Sequence, residues 1–211
     1  METSEIADGS GAAERLTSLT SPSGEPDSWS PDGKWLAFTD ADPKSGDDIW
    51  LLSLEGERKA RPFLQTPASE DGGVFSPDGR WIAYDSDESG RFEVYVQPFP
   101  GPGGKWQIST EGGGEAVWAR NGREIFYRNG DKIMAVDVET EPSFRLSKPK
   151  MLFEGRYEGA TRWFGYANYD VTPDGQRFLM IRSEEEPAPT RIRVVLNWAD
   201  ELKAKVPSGG R

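Results

Sequence analysis

The sequence predicts an all-β fold, a β-propeller of about four blades with four antiparallel strands each, and three observations lead to it. A four-residue turn, Ser-Pro-Asp-Gly, stands at 30–33 and 76–79, and variants of it stand at 119–122 and 172–175. The second residue of this turn recurs at intervals of 46, 43 and 53 residues. Short alternating apolar runs follow each turn, and a unit of this kind repeated at this period is typical of propeller blades.

The alternating runs supply the strands, which we label A to D in chain order within each unit. Strand A leads into the turn and strand B leaves it, and aromatic and β-branched residues bounded by turn residues are typical of both. The predicted B strands span 34–38, 80–84, 123–127 and 176–181; the C strands span 48–52, 93–96, 132–136 and 192–196; the D strands span 60–64, 105–108 and 149–153.

The turn residues have a local structural explanation. Proline presets φ at the first central position, aspartate bonds back to the nearby backbone, and glycine accepts a positive φ. Because Asp32, Asp78 and Asp174 recur at the same place in the repeat, we interpret them as turn residues and not as catalytic carboxylates.

The ends of the chain determine whether the ring is complete. The fourth unit lacks a D strand, whereas residues 14–17 resemble a strand D that no A, B or C strand precedes. Pairing between these two would close a small ring and remove its exposed edges; the alternative is that the chain is the C-terminal part of a larger ring. The sequence therefore predicts a disordered tail over 1–13, a propeller over 14–198 and a second tail over 199–211.

Composition excludes several kinds of chemistry. The 211 residues include no histidine and no cysteine, which excludes histidine bases and ligands, disulfides and thiolate sites. The net charge of −11 disfavours nucleic acid and anionic membranes as partners. No apolar run reaches the length of a membrane span, and the acidic N-terminus lacks signal-peptide features, so we expect no membrane insertion and assign no compartment.

The segment 85–90, Asp-Ser-Asp-Glu-Ser-Gly, is the best candidate for a metal site. Alternating oxygen ligands that end in glycine resemble the first half of a calcium loop, but Gln97 stands where a distal bidentate glutamate would be needed. A solvated hairpin turn is the favoured interpretation. No carboxylate pair is marked by its sequence context, so we predict no catalytic residue, metal or cofactor.

Residues 156–169 break the repeat, lengthen its third interval and combine aromatic residues with two arginines. Such residues commonly anchor binding surfaces, and in a propeller the connection from strand D to the next strand A lies on the face where ligands usually bind. Alternatively, the aromatic residues fill the ring centre or cover a core edge. The predicted binding residues are Arg156, Tyr157, Arg162, Trp163, Phe164, Tyr166 and Asn168.

The full repeat resembles the WD40-like repeat of the TolB type over roughly 14–198. It runs from the aromatic residue before the turn through Lys/Arg-Trp-Leu/Ile-Ala-Phe/Tyr to Asp-Ile-Trp or Glu-Val-Tyr. The segment 194–203 also resembles the end of propellers linked to bacterial serine/threonine kinases, although the chain carries no kinase motifs. The resemblance implies a propeller, often extracytoplasmic.

These observations together predict a non-catalytic propeller that serves as a protein- or peptide-binding scaffold, either monomeric or a self-associating fragment. Two alternatives stay open. One is a carboxylate- or metal-dependent hydrolase or lyase built on a propeller. The other is a fragment of a larger propeller without independent activity.

Overall fold

A computed structural model describes residues 16, 24–159 and 166–182, and these residues form fifteen β-strands. The first sheet contains β1 (Glu25–Trp29), β2 (Trp35–Asp42), β3 (Gly46–Ser53) and β4 (Ala60–Leu64). The second contains β5 (Glu70–Phe75), β6 (Trp81–Ser86), β7 (Glu93–Pro98) and β8 (Trp106–Gln107). The third contains β9 (Gly114–Trp118), β10 (Glu124–Asn129), β11 (Lys132–Glu139), β12 (Arg145–Leu146) and β13 (Lys150–Glu154); β14 (Tyr169–Val171) and β15 (Phe178–Met180) form a hairpin.

Each sheet is an antiparallel meander in chain order, which confirms the predicted blade pattern. The third blade differs because two short strands share the edge of β11. β13 pairs with its first half and β12 pairs with its last two residues. The predicted strand C of the fourth blade and the closing strand at 14–17 lie outside the described residues, except for Leu16.

The recurring turn folds as its chemistry predicts. In the first blade Ser30 Oγ donates to Asp32 Oδ1 at 2.6 Å. The backbone N–H of Gly33 donates to the Ser30 carbonyl at 2.8 Å, and Gly33 has a φ of 72°. The hydrogen bond from Ser30, followed by that from the Lys34 backbone, lowers the pKa of Asp32. The structural role predicted for the turn aspartates is therefore confirmed.

Apolar clusters lie between consecutive blades and stack the sheets face to face. Ala37 and Leu51 of the first blade pack with Phe75 and Ile82 of the second. The largest cluster joins the second and third blades, and it contains Ala83, Val94, Val96, Ile108, Ala116, Trp118, Ile125, Tyr127, Val136, Val138 and Phe144. The hairpin of the fourth blade packs on the third through Tyr169 and the half-buried Phe178 and Met180.

The outer faces of the first and fourth blades differ. On the first blade Leu36 and Phe38 are buried, and Leu16 packs against their cluster. On the fourth blade Leu179 is 74% exposed and Ile181 is 49% exposed. Side chains alternate along a strand, so these two residues lie on the side away from the third blade. Closure of the ring by the two ends of the chain stays a prediction.

Candidate functional site

The connections from strand D to the next strand A lie at one end of the sheets, together with the B–C hairpins. We call this end the D–A face. Between the first two blades the connection is bonded to both neighbouring hairpins, because Ser69 Oγ donates to Asp47 Oδ2 at 3.2 Å and the Ser69 backbone N–H donates to Asp87 Oδ1 at 2.9 Å. The strands A of adjacent blades lie next to one another, since β5 contacts both β1 and β9.

The connection between the third and fourth blades, at 155–168, carries the predicted binding residues. Arg162, Trp163 and Phe164 lie outside the described residues. Arg156 is exposed, and Tyr166 is exposed over 49% of its surface.

Arg128, a buried residue of β10, holds the first part of this connection. Its Nη1 donates to the Glu158 carbonyl at 2.8 Å, and its Nη2 donates to the Tyr157 carbonyl. Its Nε donates to the Gly130 carbonyl at 2.8 Å and lies 3.9 Å from Glu115 Oε1. One guanidinium therefore satisfies three carbonyl groups and faces one carboxylate.

Glu115, the second residue of β9, holds the other end of the connection. The backbone N–H of Asn168 donates to Glu115 Oε2 at 3.0 Å, and the hydroxyl of Tyr169 donates to the Glu115 carbonyl at 2.9 Å. Glu115 has a φ of 58°, a left-handed conformation that is unfavourable for a residue with a side chain. Its hydrogen bonds keep it there, so Asn168 is a structural anchor of the connection as well as a predicted binding residue.

A groove of about 590 Å³ lies beside Tyr157, between the third blade and β15. Phe153 contacts Tyr157 edge to face, with ring centroids 6.2 Å apart, and Phe178 contacts Phe153 at 5.2 Å. The groove is lined by these three rings and by Glu124, Phe126, Lys150, Leu152, Gly175, Gln176 and Met180. Its walls combine aromatic rings with the charged side chains of Glu124 and Lys150.

A second feature of the D–A face is a group of carboxylates on the inner strands of the first two blades. Asp71 of β5 and Asp85 of β6 are direct partners in the strand register. Asp85 is 6% exposed; its Oδ2 accepts the Glu115 backbone N–H at 2.8 Å, and its buried Oδ1 has no hydrogen-bond partner. Asp27 of β1 accepts the Gly73 backbone N–H at 3.1 Å and the Thr39 hydroxyl at 2.9 Å. We call Asp27, Asp71 and Asp85 the inner carboxylate cluster.

These carboxylates ionise with difficulty. Burial raises the pKa of Asp27 to about 8, although its hydrogen bonds from Thr39 and Gly73 oppose the shift. Burial also raises the pKa of Asp71 to about 7, with a further contribution from the charges of Asp47, Asp87 and Glu25. Burial and then the charge of Asp71 hold the pKa of Asp85 well above its usual range. Near neutral pH the cluster therefore retains protons that isolated aspartates would lose.

The residues of the calcium candidate at 85–90 point to separate partners. Asp85 bonds to Glu115, and Asp87 bonds to the backbone of Ser69. Glu88 forms an ion pair with Lys105. Within the described ranges, no three Asp, Glu, His or Cys side chains are grouped so that they could hold a metal ion.

The inner carboxylate cluster was not predicted from the sequence, although the repeat contains a signal for part of it. The sixth residue after the turn glycine is Thr39 in the first blade, Asp85 in the second and Arg128 in the third. This position lies on strand B opposite the start of strand A, so an acid there meets whatever acid strand A carries. A comparison of the three blades at this position would have marked Asp85.

No protein-family model and no curated protein matches the chain. Solved structures do match it. A putative TolB from Agrobacterium tumefaciens has a TM-score of 0.59 at 17% identity, over 83% of this chain and 64% of that one. TolB from Acinetobacter baumannii has a TM-score of 0.60 at 20% identity, over 82% and 40%. The periplasmic gluconolactonase of Pseudomonas aeruginosa has a TM-score of 0.50 at 20% identity, over 83% and 54%.

These matches show the fold. The chain has the fold of TolB-like β-propellers, all-β with blade-like antiparallel sheets. It spans between two fifths and two thirds of the length of these three structures. Within the described residues, no helix is long and apolar enough to cross a membrane.

Proposed function

We propose that this propeller is a non-catalytic scaffold that binds a protein or peptide at the D–A face, on the connection between its third and fourth blades. The observation that carries the proposal is the way this connection is supported. Arg128 holds the carbonyls of Tyr157 and Glu158, and Glu115 holds the backbone of Asn168. Tyr166 lies two residues before Asn168 and is half exposed.

A binding surface of this kind combines exposed aromatic rings with a prearranged backbone. Rings contribute large contact areas, and a connection that is already bonded to the blades loses little entropy when a partner binds. The groove beside Tyr157 adds a recess for one apolar side chain of the partner. Arg156 is exposed at the same connection and can pair with an acidic group of the partner.

The test is selection of binding peptides from a displayed random library on the immobilised full chain, followed by affinity measurements on purified peptides. We expect the double variant Trp163→Ala, Tyr166→Ala to weaken the selected peptides at least tenfold with an unchanged melting temperature. Leu146→Ala is the matched control, because Leu146 is also an exposed apolar residue but belongs to β12. Peptides that bind the double variant as well as the parent chain contradict the proposed site.

A carboxylate-dependent hydrolase is the second candidate function. It is favoured by Asp71 and Asp85, which oppose each other and share raised pKa values, the arrangement in which one carboxyl can act as an acid and the other as a base. The gluconolactonase match makes glucono-δ-lactone a suitable first substrate. Hydrolysis faster than the spontaneous rate supports this candidate if Asp85→Asn abolishes the acceleration. If the chain does not accelerate hydrolysis, the candidate is contradicted for this substrate.

A further inference from the structure

We propose that the inner carboxylate cluster binds a cationic side chain, arginine or lysine, which a peptide partner inserts into the D–A face between the first and second blades. This proposal rests on the proposed scaffold function and names the chemistry of its partner. The cluster lies on strands A and B of the first two blades, apart from the connection at 155–168.

The register of β5 and β6 places two acids opposite each other. Asp71 and Asp85 are direct partners, and side chains at such positions lie about 5 Å apart at Cβ. Two carboxylates placed in this way repel each other unless a proton or a cation lies between them. The buried Oδ1 of Asp85 has no hydrogen-bond donor among the described residues, whereas its Oδ2 accepts the Glu115 backbone N–H.

The second and third blades differ in what lies beside their acidic side chains. In the third blade the register position of Asp85 is held by Arg128, which lies opposite Gly114 and faces Glu115 at 3.9 Å. In the second blade the buried Glu93 of strand C is paired with Arg91 at 2.8 Å. Arg128 and Arg91 thus lie beside Glu115 and Glu93, whereas no described cation pairs with Asp27, Asp71 or Asp85. Asp48 and Glu70 are two further buried acids without a described cation.

Two members of the inner carboxylate cluster are partly accessible to solvent. Asp27 and Asp71 are only half-buried, as are the acidic neighbours Glu25, Asp47 and Asp87, whose charges act on Asp71. A cation that approaches the D–A face therefore meets several carboxylates besides Asp85. A group of like charges raises the local concentration of the opposite charge.

The geometry fits a guanidinium or ammonium group better than a metal ion. One oxygen of Asp27 and one oxygen of Asp85 already accept hydrogen bonds, from Gly73 and Thr39 and from Glu115 respectively. Calcium requires six to eight oxygens around one point. Among the described residues, no three acidic side chains are grouped so that they could hold a metal ion. A planar guanidinium can donate in several directions to oxygens that are spread along an edge.

Binding should release protons. Asp71 has a pKa of about 7 and Asp27 of about 8 in the free protein, and a bound cation favours their charged forms. The groups facing them are Glu25 on β1, Asp47 on β3, Asp87 after β6 and Glu115 on β9, and Arg128 compensates Glu115. The affinity for a cation therefore rises with pH between about 6 and 8.5.

The experiment is a titration of the full chain with acetyl-Gly-Arg-Gly-amide and with the citrulline peptide of the same shape and no charge, followed by backbone amide NMR. We expect the arginine peptide to bind at least tenfold more tightly, to shift the amides of β5 and β6, and to gain affinity several-fold from pH 6 to pH 8.5. Asp85→Asn and Asp71→Asn should each weaken it at least tenfold. Asp137→Asn is the control, because it removes the same charge from an exposed side chain of β11.

Equal affinities for the two peptides, or an affinity unchanged in both Asp71→Asn and Asp85→Asn, would overturn the proposal. Calcium that binds the cluster and excludes the arginine peptide would also overturn it, in favour of a metal site. Failure here is distinct from failure of the scaffold proposal. If library peptides depend on Tyr166 but the arginine peptide does not bind, the scaffold proposal holds and the cation site is excluded. If the arginine peptide binds but no peptide depends on Tyr166, the inner carboxylate cluster is the binding site and the connection at 155–168 is not.

Discussion

Asp71 and Asp85 face each other as direct partners across β5 and β6, although the sheet provides no cation between them among the described residues. The corresponding pair in the third blade is Gly114 and Arg128, and in the first blade it is Glu25 and Thr39. At this register position the second blade is the one of the three that places acid opposite acid, although at other positions Asp40 lies opposite Asp48 in the first blade and Glu124 opposite Asp137 in the third. Like charges at such positions destabilise a sheet.

The first prediction concerns pH. The folded-state pKa values of Asp27 and Asp71 lie above the usual value near 4, so the native state binds more protons than the unfolded state between pH 4 and about 8. Stability therefore falls as pH rises through this window. We expect the melting temperature to drop by several degrees between pH 5.5 and pH 8.5, as measured by circular dichroism at constant ionic strength.

The variant Asp85→Asn separates this effect from general charge repulsion. It should raise the free energy of unfolding at pH 8.5 by roughly 1–2 kcal/mol and flatten the pH dependence. The exposed Asp137→Asn should change neither. A parent chain that is equally stable at both pH values would show that the acids are not protonated in the native state.

The second prediction concerns Arg128, which bonds three carbonyl groups and faces Glu115. Arg128→Met should cost about 2–4 kcal/mol of stability, because it leaves three carbonyl groups without their donor and removes the positive charge that faces the Glu115 carboxylate. Amides at 155–159 should exchange hydrogen faster. The measurement is urea unfolding combined with hydrogen exchange.

Arg128→Lys distinguishes hydrogen-bond geometry from charge. An ammonium group keeps the charge but cannot reach Gly130, Tyr157 and Glu158 at once. We expect it to recover less than half of the lost stability and to leave exchange at 155–159 fast. Full recovery by lysine would mean that the charge opposite Glu115 is what matters, and that the carbonyl contacts contribute little.

The sequence predicted the blade pattern because its signals are local. The turn at Ser76 is specified within four residues, and the strands around it follow from alternation and turn chemistry. The inner cluster depends instead on register between strands, and β5 and β6 shift register between Asp71 and Val74. A bulge of this kind moves side chains relative to their partners, and the simple alternation of residues does not reveal it.

The candidate binding site was predicted in part. Composition alone marked the segment 156–169 as unusual, and the structure shows that Asn168 and the carbonyl of Tyr157 attach it to the third blade. The attachment was not predictable from the sequence, because the side chains of Arg128 and Glu115 bond to backbone atoms of the connection. The positions of those backbone atoms depend on the folded structure. Arg162, Trp163 and Phe164 remain predicted binding residues.

The third prediction concerns the turn hydroxyl of the second blade. Ser76 Oγ donates to Asp78 Oδ1 at 2.6 Å and accepts the Trp81 backbone N–H at 3.0 Å, and Ser76 is 1% exposed. Ser76→Ala should therefore cost about 1–2 kcal/mol, because it leaves a buried N–H without an acceptor. Ser89→Ala removes an exposed hydroxyl and should cost less than about 0.5 kcal/mol. Equal losses for the two variants in chemical denaturation would contradict the role assigned to the turn.

The last prediction tests which face of the fourth blade is covered. Leu179 is 74% exposed, whereas the next residue, Met180, packs on the third blade. Leu179→Glu should leave the melting temperature within about one degree of the parent chain, because a charge on an exposed surface is well solvated. Met180→Glu should lower it by several degrees, because a buried charge without a partner is costly.

If both variants destabilise the chain equally, Leu179 is covered in solution, as it would be if another blade closed the ring against this face. Sedimentation then identifies that blade: a monomer means the chain closes on itself, and a dimer means a second copy supplies the contact.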